Sequence, residues 1–450
     1  MHIGIDVGTT HISATIVDVI NKKIIEAPSF PNKRMKSEVS GSYEQSPHEI
    51  EKSVFSLLEQ IKEPIDSITV TGQVHGILYV DTHFEAVSPL FTWLDSRSLI
   101  QIDGKTIEEH FYEETRINLP TGYGLLTHYA NKKLNLVPSN AVGFCGILEY
   151  ITGRLIDKGI TKSDPSSLGT YGAFDPVSNS FNQQVIDIVV GEDFSFPHLS
   201  SHPFEIAGTT KDGTVVTYPV GDNQAGYFGM VDELEHSALL SIGTSGQLSF
   251  FSTSSMCSSH MELREFLGLG YLHVGATLSA GKAYETLMKF FKEVCFLCTN
   301  DEVSDEVIFD AMKRSVEQNS SSKDIICHPV FKGTRQNSLV KASFKNIDLD
   351  NFTMGNMVES VIDGVIQELF DFIAPLDNNT FQVDRIVATG NGVKKNYLFQ
   401  KSIEKIFSII PAVAMVEDGA AIGAALVGAI ATKKCNMDEK NTIIRILLRG

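Results

Sequence analysis

The sequence has no apolar run long enough to cross a membrane. Its longest apolar stretch, residues 420–431 (AAIGAALVGAIA), is much shorter than the ~20 residues of a membrane-spanning helix. The many glycines and alanines in this stretch favour a closely packed helix instead. The N-terminus, MHIGIDVGTT, also lacks the basic segment followed by an apolar segment that is typical of a signal peptide. We therefore expect a cytoplasmic protein with no membrane partner.

Positive charge is scarce as well. The chain of 450 residues has 37 Lys and Arg residues against 55 Asp and Glu residues, a formal net charge of −18. This acidic balance disfavours a densely anionic partner, such as a nucleic acid, that is bound by general electrostatics. We expect no nucleic-acid partner, and any anionic ligand must be held by the local geometry of its site.

Cysteines are few and scattered, with six in the chain. This usage is typical of reduced thiols in a cytosolic protein rather than of a disulfide framework. Cys295 and Cys298 form a CxxC pattern, for which a metal or redox role is an alternative. A metal site would need a second ligand pair, and the flanking sequence LMKFFKEVCFLC has the spacing of an apolar helix face. We therefore favour helix packing for both cysteines.

Two common nucleotide-binding patterns are also missing. The Gly-x-x-x-x-Gly-Lys-[Ser/Thr] pattern of P-loops and the Gly-x-Gly-x-x-Gly pattern of dinucleotide sites are not evident. The segment GNGVKKN, residues 390–396, is a candidate because its glycines follow an apolar strand and would let a flat base lie on the backbone. An ordinary strand-to-helix turn is the alternative for this segment.

The chain does contain an internal repeat. Residues 2–18 (HIGIDVGTTHISATIVD) and 238–252 (ALLSIGTSGQLSFFS) each have an apolar strand, a Gly-Thr turn and a second strand. A second pair of segments, residues 67–80 and 384–399, follows in the same order, and each has an apolar strand that runs into Thr-Gly. Two elements that recur in one order indicate two domains of common ancestry.

The boundary between the two repeats should lie near residues 230–237 (MVDELEHS), where polar residues interrupt two apolar runs. It divides the chain into predicted domains of residues 1–232 and 233–450. Residues 47–63 and 357–376 have apolar spacings of three and four, the period of an amphipathic helix. Strands that alternate with such helices predict an α/β fold with sheets covered by helices.

The two Gly-Thr turns are candidate phosphate sites. Glycine lets the backbone approach a ligand closely, and successive N–H groups in such a turn form an anion-binding concavity. Structural turns use the same residue types, but two such turns at matching places in duplicated halves strengthen the binding interpretation. We assign to phosphate groups the residues Gly8, Thr9, Thr10, Gly243, Thr244 and Ser245.

Two carboxylates accompany these turns. Asp6 ends the strand before the first turn, where it can hold Mg²⁺ directly or through water. Asp222 lies between glycines and apolar residues in YPVGDNQAGYFGMV, residues 218–231, a stretch without a basic residue. A structural turn aspartate is the common explanation of Gly-Asp-Asn taken alone.

Taken together, these segments resemble the FGGY carbohydrate kinases over nearly the whole chain. IDVGTT and SIGTSGQ are similar to the two phosphate motifs of that family, and GDNQAG is similar to the motif that carries its catalytic base. TGNGVKKNYLFQ, followed by EDGAAIGAALVGA, resembles the adenosine motif, and HPVFKGTR (328–335) resembles a Pro-x-x-x-Gly-x-Arg segment.

Four further segments resemble the sugar-binding side of pentulose and heptulose kinases. GQVHG (72–76), with Val74 in place of a methionine, and WLDSR (93–97) are similar to segments of both groups. TGYGLLTHY (121–129) and SDPSSLGTYGAFD (163–175) resemble sedoheptulokinases in particular, although Pro-Ser-Ser in the second segment departs from the expected pattern.

The resemblance implies a fold of two ribonuclease-H-like domains, of the actin and hexokinase type, with a catalytic cleft between them. It implies an enzyme that uses ATP and Mg²⁺ to phosphorylate a ketose. Sedoheptulokinases match best and xylulokinases next, so the expected product is sedoheptulose 7-phosphate. Some relatives form dimers, and a homodimer is an open alternative here.

The resemblance also implies roles for individual residues. Asp222 becomes the expected general base, which takes the proton of the attacking sugar hydroxyl. A neighbouring Arg or Lys would lower its basicity, so we expect no cation beside it. The expected sugar contacts are Gln73, His75, Gly76, Trp93, Asp95, Arg97 and Asn223. The expected nucleotide contacts beyond the two turns are Gly281, Gly390, Asn391, Gly392 and Asn396.

Several alternatives stay open at this point. Trp93 could be a core residue, and Asp95 and Arg97 could form a mutual salt bridge that shapes the pocket. The rival enzyme is a xylulokinase or another pentulose kinase. A rival of another class is a sugar-sensing protein that has kept the ATPase fold without turnover, although the intact Gly-Asp motif and both phosphate turns argue against it.

Overall fold

The computed structural model divides the chain into two compact units. It describes residues 1–160, 162–192, 194–200, 204–318, 325–334, 337, 339–376 and 383–449. Arg335, the last residue of the HPVFKGTR segment, lies outside them. The first unit comprises Met1–Asp232, Arg264–Leu272 and Val416–Gly450, and the second comprises Glu233–Leu263 and His273–Met415.

Most strands in the described residues are short, and the longest are those of the two predicted hairpins and their sheet neighbours. In chain order they are β1 (His2–Val7), β2 (His11–Asp18), β3 (Lys23–Glu26), β4 (Phe30–Pro31), β5 (Glu44–Gln45), β6 (Ser67–Gly72), β7 (Leu78–Val80), β8 (Leu90–Phe91), β9 (Gln101–Ile102), β10 (Lys105–Thr106), β11 (Gly143–Cys145), β12 (Lys162–Ser163), β13 (Phe174–Asp175), β14 (Ser180–Phe181), β15 (His198–Leu199), β16 (Ile206–Thr209), β17 (Val215–Thr217), β18 (Ser237–Ile242), β19 (Gly246–Ser252), β20 (Glu262–Phe266), β21 (Gly270–Thr277), β22 (Ile326–His328), β23 (Ser343–Lys345), β24 (Arg385–Thr389) and β25 (Ala412–Val413).

Helices alternate with these strands along the chain. In order they are α1 (Pro47–Gln60), α2 (Ile107–Thr115), α3 (Gly124–Lys133), α4 (Ile147–Leu155), α5 (Pro165–Leu168), α6 (Gln183–Val189), α7 (Asp222–Met230), α8 (Gly281–Thr299), α9 (Asp305–Glu317), α10 (Met354–Phe370), α11 (Asn391–Lys395), α12 (Tyr397–Phe407), α13 (Gly419–Ala431) and α14 (Met437–Arg449). Helices α1 and α10 confirm the two amphipathic helices that apolar spacing predicted at residues 47–63 and 357–376. Helix α10 begins three residues earlier because Thr353, a side-chain N-cap, lies before the apolar pattern.

A seven-stranded sheet forms the framework of the first unit. Its strand order is β16-β17-β6-β1-β2-β3, and β4 pairs with β2. Strand β1 pairs antiparallel with β2 and parallel with β6, so that Asp6 lies opposite Ser13 on one side and Thr71 on the other. Parallel strands end at the same edge of a sheet. The turn after β1 and the Gln73 segment after β6 therefore leave the sheet side by side.

The second unit repeats this arrangement. Its sheet has the order β20-β21-β19-β18-β24-β25. Strand β18 pairs antiparallel with β19 and parallel with β24, and Ser241 lies opposite Gln247 and Thr389. Strands β18, β19 and β24 thus correspond to β1, β2 and β6. The repeat found in the sequence is a repeat of topology as well.

Helix α13 packs against β1 and α7 at backbone distance. A Cβ atom added to Gly4 of β1 would lie 1.8 Å from the carbonyl oxygen of Ala421, and one added to Gly423 would lie 1.9 Å from that of Ala225 in α7. The small residues predicted to form a closely packed helix are therefore required by the packing. In the part of the chain that the structure describes, no helix is long and apolar enough to cross a membrane, α13 included.

The CxxC cysteines lie on α8, as the apolar spacing predicted. Cys295 packs against the core of the second unit, as expected, but Cys298 is exposed, so the packing predicted for it is wrong. Among the described residues, no group of three or more His, Cys, Asp or Glu side chains could hold a metal ion.

Substitution of Gly423 by alanine tests the backbone contact of α13. We expect Gly423→Ala to lower the free energy of unfolding by at least ~2 kcal/mol, because the new methyl group would overlap a main-chain carbonyl that cannot move cheaply. Urea unfolding followed by circular dichroism measures the change. The matched control is Gly226→Ala in α7, where no heavy atom lies within 4 Å of the added Cβ. This control should be neutral or stabilising by up to ~1 kcal/mol, and equal losses in the two variants would contradict the prediction.

Candidate active site

Asp222 is the first residue of α7 in the first unit. Its Oδ1 accepts hydrogen bonds from the backbone N–H of Asn223 (2.7 Å) and from the Asn223 side-chain amide (2.9 Å). Burial raises the pKa of the Asp222 carboxyl, and the bonds from Asn223 lower it by a smaller amount. A carboxylate with a raised pKa is a stronger proton acceptor than an ordinary aspartate, which suits a general base.

The expectation that no cation acts on Asp222 is wrong. Arg264, in the Arg264–Leu272 segment of the first unit, lowers the pKa of Asp222 and is the largest influence that opposes burial. The stretch around Asp222 has no basic residue of its own. Arg264 is distant from Asp222 in the sequence, so the local sequence pattern did not indicate it.

Two carboxylates of the first unit lie near enough to Asp6 to act on its pKa. Burial, followed by the charges of Asp222 and Asp418, raises the pKa of Asp6 to about 7. Asp418 is the exposed N-cap residue of α13, with a left-handed backbone at φ 53°. Concentrated negative charge of this kind fits a cation, and Mg²⁺ needs only one or two carboxylates when water and phosphate oxygens supply its other ligands. The residues present therefore fit a magnesium ion, although Asp6 as its ligand stays a prediction.

The first phosphate turn, Gly8–Thr10, lies between β1 and β2 and is held by amide side chains. Gln45 Nε2 donates to the Thr9 carbonyl at 2.7 Å, and Asn32 Nδ2 donates to the Gly8 carbonyl at 2.8 Å. A Cβ added to Gly8 would lie 2.8 Å from the carbonyl oxygen of His11, so the turn requires glycine at this position. Neither Gln45 nor Asn32 was identified from the sequence, because both act through space on a turn distant in the chain.

His75 is held in place by contacts with Thr170 and Tyr123. Its backbone is left-handed at φ 72°. Its N–H donates to Thr170 Oγ1 at 3.1 Å, and its Nδ1 lies 2.7 Å from the Thr170 carbonyl oxygen. A carbonyl oxygen can only accept, so Nδ1 is the donor in this contact. Tyr123 stacks on this ring with 4.3 Å between centroids.

Both segments that resemble sedoheptulokinases therefore contact His75. Tyr123 belongs to residues 121–129, and Thr170 belongs to residues 163–175. The structure thus brings three of the predicted sugar-side segments together.

Two other members of the GQVHG segment make internal contacts. Gln73 donates from Nε2 to Gln45 Oε1 at 2.7 Å, and its backbone N–H donates to the Val7 carbonyl at 3.0 Å. A Cβ added to Gly76 would lie 2.4 Å from the Phe91 carbonyl oxygen, so the chain requires glycine there. Contact of these two residues with a sugar stays a prediction.

The residues of the WLDSR segment have different environments. Asp95 and Arg97 are buried and form a salt bridge of 2.8 Å, and Arg97 also pairs with Glu44 at 2.7 Å. The structure thus contains the mutual salt bridge that was the alternative to ligand contact. Trp93 is 45% exposed and donates from Nε1 to Thr9 Oγ1 at 3.0 Å, so it is a neighbour of the first phosphate turn and not a core residue.

In the second unit, backbone hydrogen bonds join the second phosphate turn to the start of α8. The Gly243 N–H donates to the Ser245 carbonyl at 3.0 Å, which closes the turn. The N–H of Ala280 donates to the Thr244 carbonyl at 3.0 Å, and that of Gly281 donates to the Gly243 carbonyl at 2.9 Å. A Cβ added to Gly281 would lie 2.5 Å from the same Gly243 oxygen. The structure therefore places the predicted Gly281 directly against this turn.

The predicted adenosine segment follows β24 and packs against the end of β18. Cβ atoms added to Gly390 or Gly392 would each lie 2.5 Å from an atom of Ile242, the residue before the second turn. Asn391 begins α11 and is exposed, whereas Asn396 is buried and caps α12 through a hydrogen bond from the Leu398 N–H at 3.2 Å. Close packing explains both glycines, so the structural interpretation of this turn stands beside the adenosine interpretation.

Comparison with known proteins identifies the family. The model of the N-terminal domain of the FGGY family of carbohydrate kinases matches residues 1–229. The chain belongs to this family. A xylulose kinase from Staphylococcus xylosus is 24% identical over 465 residues, which cover 95% of this chain and 90% of the relative.

Solved structures of the family share the fold. The ligand-bound xylulose kinase from Lactobacillus acidophilus has a TM-score of 0.81 at 19% identity and covers 98% of this chain and 91% of its own. Gluconate kinase from the same organism has a TM-score of 0.80 at 20% identity with the same coverage. The predicted fold class, two domains of the actin and hexokinase type, is confirmed. The protein is an ATP-dependent carbohydrate kinase that binds a sugar and ATP.

Replacement of Arg264 tests the electrostatic setting of Asp222. Because Arg264 lowers the pKa of Asp222, Arg264→Gln should raise that pKa, and a base must be deprotonated to act. The acid limb of the pH profile of kcat/KM should therefore move to higher pH. The control is Lys211→Gln, which removes an exposed cation that pairs with Asp157 in the same unit. An acid limb at the same pH in both variants and in the wild type would contradict the assignment.

Proposed function

We propose that this protein transfers the γ-phosphoryl group of ATP to a hydroxyl group of a ketose, with Asp222 as the general base. The observation that carries the proposal is the pairing of two features in one unit. One is the Asp222 carboxyl at the start of α7, whose pKa is raised by desolvation. The other is His75, whose ring is fixed by the contact of Nδ1 with the Thr170 carbonyl oxygen and by stacking on Tyr123.

The reaction needs placement more than covalent chemistry. The attacking sugar oxygen forms a bond to the γ-phosphorus while the bond from that phosphorus to the ADP oxygen breaks. The proton of the sugar hydroxyl passes to Asp222, and Asn223 orients the receiving carboxylate through two hydrogen bonds. This role requires Asp222 to be ionised at working pH, which Arg264 favours.

We assign the remaining predicted residues by their positions. The phosphate groups would be bound by Gly8, Thr9, Thr10, Gly243, Thr244, Ser245 and Gly281, and the adenosine by Gly390, Asn391, Gly392 and Asn396. Asp6 would hold Mg²⁺, which when bound neutralises part of the charge on the phosphate oxygens. Trp93 and Asn223 would contact the sugar together with Gln73 and His75.

Two sugars are the leading candidates. Xylulose is favoured because xylulose kinases match over nearly the whole chain. Sedoheptulose is favoured by one specific observation, namely that both segments resembling sedoheptulokinases contact His75. The two sugars differ in the number of hydroxyl-bearing carbons, so hydrogen-bonding groups of the pocket would distinguish them.

The assignment of the base predicts the behaviour of Asp222→Asn. The variant should bind ATP and sugar with nearly unchanged affinity and lose about 10²–10⁴-fold in kcat, because only proton removal is impaired. Isothermal titration calorimetry and a coupled ADP-release assay measure the two quantities. The matched control is Asp187→Asn, an exposed helical aspartate of the same unit, which should keep wild-type kcat. Near-normal turnover by Asp222→Asn would end the assignment.

A substrate panel tests the sugar. We expect kcat/KM for xylulose or sedoheptulose to exceed that for ribulose, gluconate, fructose and glycerol in the same ADP-release assay. Preference for gluconate or glycerol would contradict a ketose as the substrate. A protein that turns over none of these sugars would instead support the sugar-sensing alternative.

A further inference from the structure

A closed ring of hydrogen bonds, through three side chains and the main-chain carbonyl of Thr9, joins the first phosphate turn to the sugar-side GQVHG segment. Gln45 Nε2 donates to the Thr9 carbonyl at 2.7 Å, and Gln45 Oε1 accepts from Gln73 Nε2 at 2.7 Å. The Thr9 hydroxyl completes the circle by donating to Gln73 Oε1 over a longer distance of 3.4 Å. Trp93 Nε1 donates to the same hydroxyl at 3.0 Å. We call these four residues the Gln45 ring.

Gln45 is the central member of this ring. It is fully buried, and it uses both the donor and the acceptor of its amide. Asn32 Nδ2 adds a second bond to Gln45 Oε1 at 3.3 Å while it also holds the Gly8 carbonyl. Glutamate would keep the acceptor but lose the donor, and methionine would lose both. The chemistry of the site therefore requires an amide.

The main chain beside Gln45 is anchored as well. The preceding residue, Glu44, pairs with the buried Arg97 at 2.7 Å, and the two-residue strand β5 pairs with β8. Gln45 therefore cannot move away from the turn without breaking a buried ion pair. Breaking such a pair is costly because it leaves an uncompensated charge in the interior.

We propose that Gln45 is a positioning residue for phosphoryl transfer, which fixes the first phosphate turn relative to the sugar-side segment through Thr9 and Gln73. The proposal rests on the proposed role of Thr9 at the phosphate. Transfer depends on the in-line placement of two oxygens and a phosphorus, and a misplacement of ~1 Å can cost about 10²-fold in rate. Gln45 acts on that placement through other residues and not on the reacting atoms.

The test compares Gln45→Met with Ser46→Ala. Gln45→Met keeps the length of the side chain and removes both hydrogen-bonding functions. It should lower kcat by about tenfold to a hundredfold while KM for the sugar changes by less than ~3-fold. Ser46→Ala removes the neighbouring N-cap of α1, whose Oγ accepts from the Glu49 N–H, and leaves the ring intact. It should reduce stability but not kcat.

A double-variant cycle separates positioning from general damage. If Gln45 and Gln73 belong to one ring, then Gln45→Met with Gln73→Met should lose about as much in kcat as the worse single variant. Addition of Ser46→Ala to Gln45→Met should instead leave the loss of kcat unchanged, because Ser46 lies outside the ring. The sole tryptophan, Trp93, supplies a readout without turnover, since its emission should shift in Gln45→Met and not in Ser46→Ala.

The outcomes distinguish this inference from the proposed function. A kcat within ~2-fold of wild type in Gln45→Met, multiplicative losses with Gln73→Met, or an unchanged Trp93 emission would each overturn the ring as a positioning device. An equal loss of kcat in Ser46→Ala would also overturn it, because stability alone would then explain the effect. If Gln45→Met does not fold, Gln45→Glu, which keeps shape and acceptor, takes its place. A wild type without kinase turnover would refute the proposed function, and Trp93 emission would still test the ring.

Discussion

The backbone contact of α13 with β1 and α7 holds together the parts of the first unit that carry its candidate chemistry. Strand β1 presents Asp6, α7 begins at Asp222, and α13 begins directly after Asp418. Glycine at positions 4 and 423 lets the backbones approach, and a single methyl group at either position would separate them. Packing at this contact brings three carboxylates together from distant parts of the sequence, and it offsets the repulsion between their charges. A bound cation would relieve that repulsion further.

The setting of Asp222 is a balance of opposing influences. Burial raises the pKa of its carboxyl, which strengthens the base but also favours the protonated, inactive form. Arg264 and the two hydrogen bonds from Asn223 lower the pKa and thereby favour the ionised carboxylate. A cation beside Asp222 therefore supports the form of the carboxyl that a base needs.

The parts of the fold that could be predicted from the sequence are those set by local pattern. The Gly-Thr turns, the strand repeats and the helices at α1 and α10 depend on residues close together in the chain. Contacts between residues that are distant in the chain have no such pattern in the sequence. Apolar composition indicated that α13 is buried but not what it packs against, and no spacing links Gln45 to Thr9 or Arg264 to Asp222. The domains predicted at 1–232 and 233–450 likewise rest on local composition, whereas Val416–Gly450 clusters with the first unit because of packing.

Similarity over the whole chain and similarity in short segments reflect different physical requirements, and therefore need not indicate the same sugar. Identity over nearly the whole chain mainly reflects the core and the topology that every family member needs, whatever its sugar. Sugar choice depends on the few pocket contacts that differ between substrates, and a handful of residues can supply them. Tyr123 and Thr170 contact His75 directly, and both belong to the segments that resemble sedoheptulokinases. A difference in sugar between family members would have to arise from contacts of this local kind and not from the shared core.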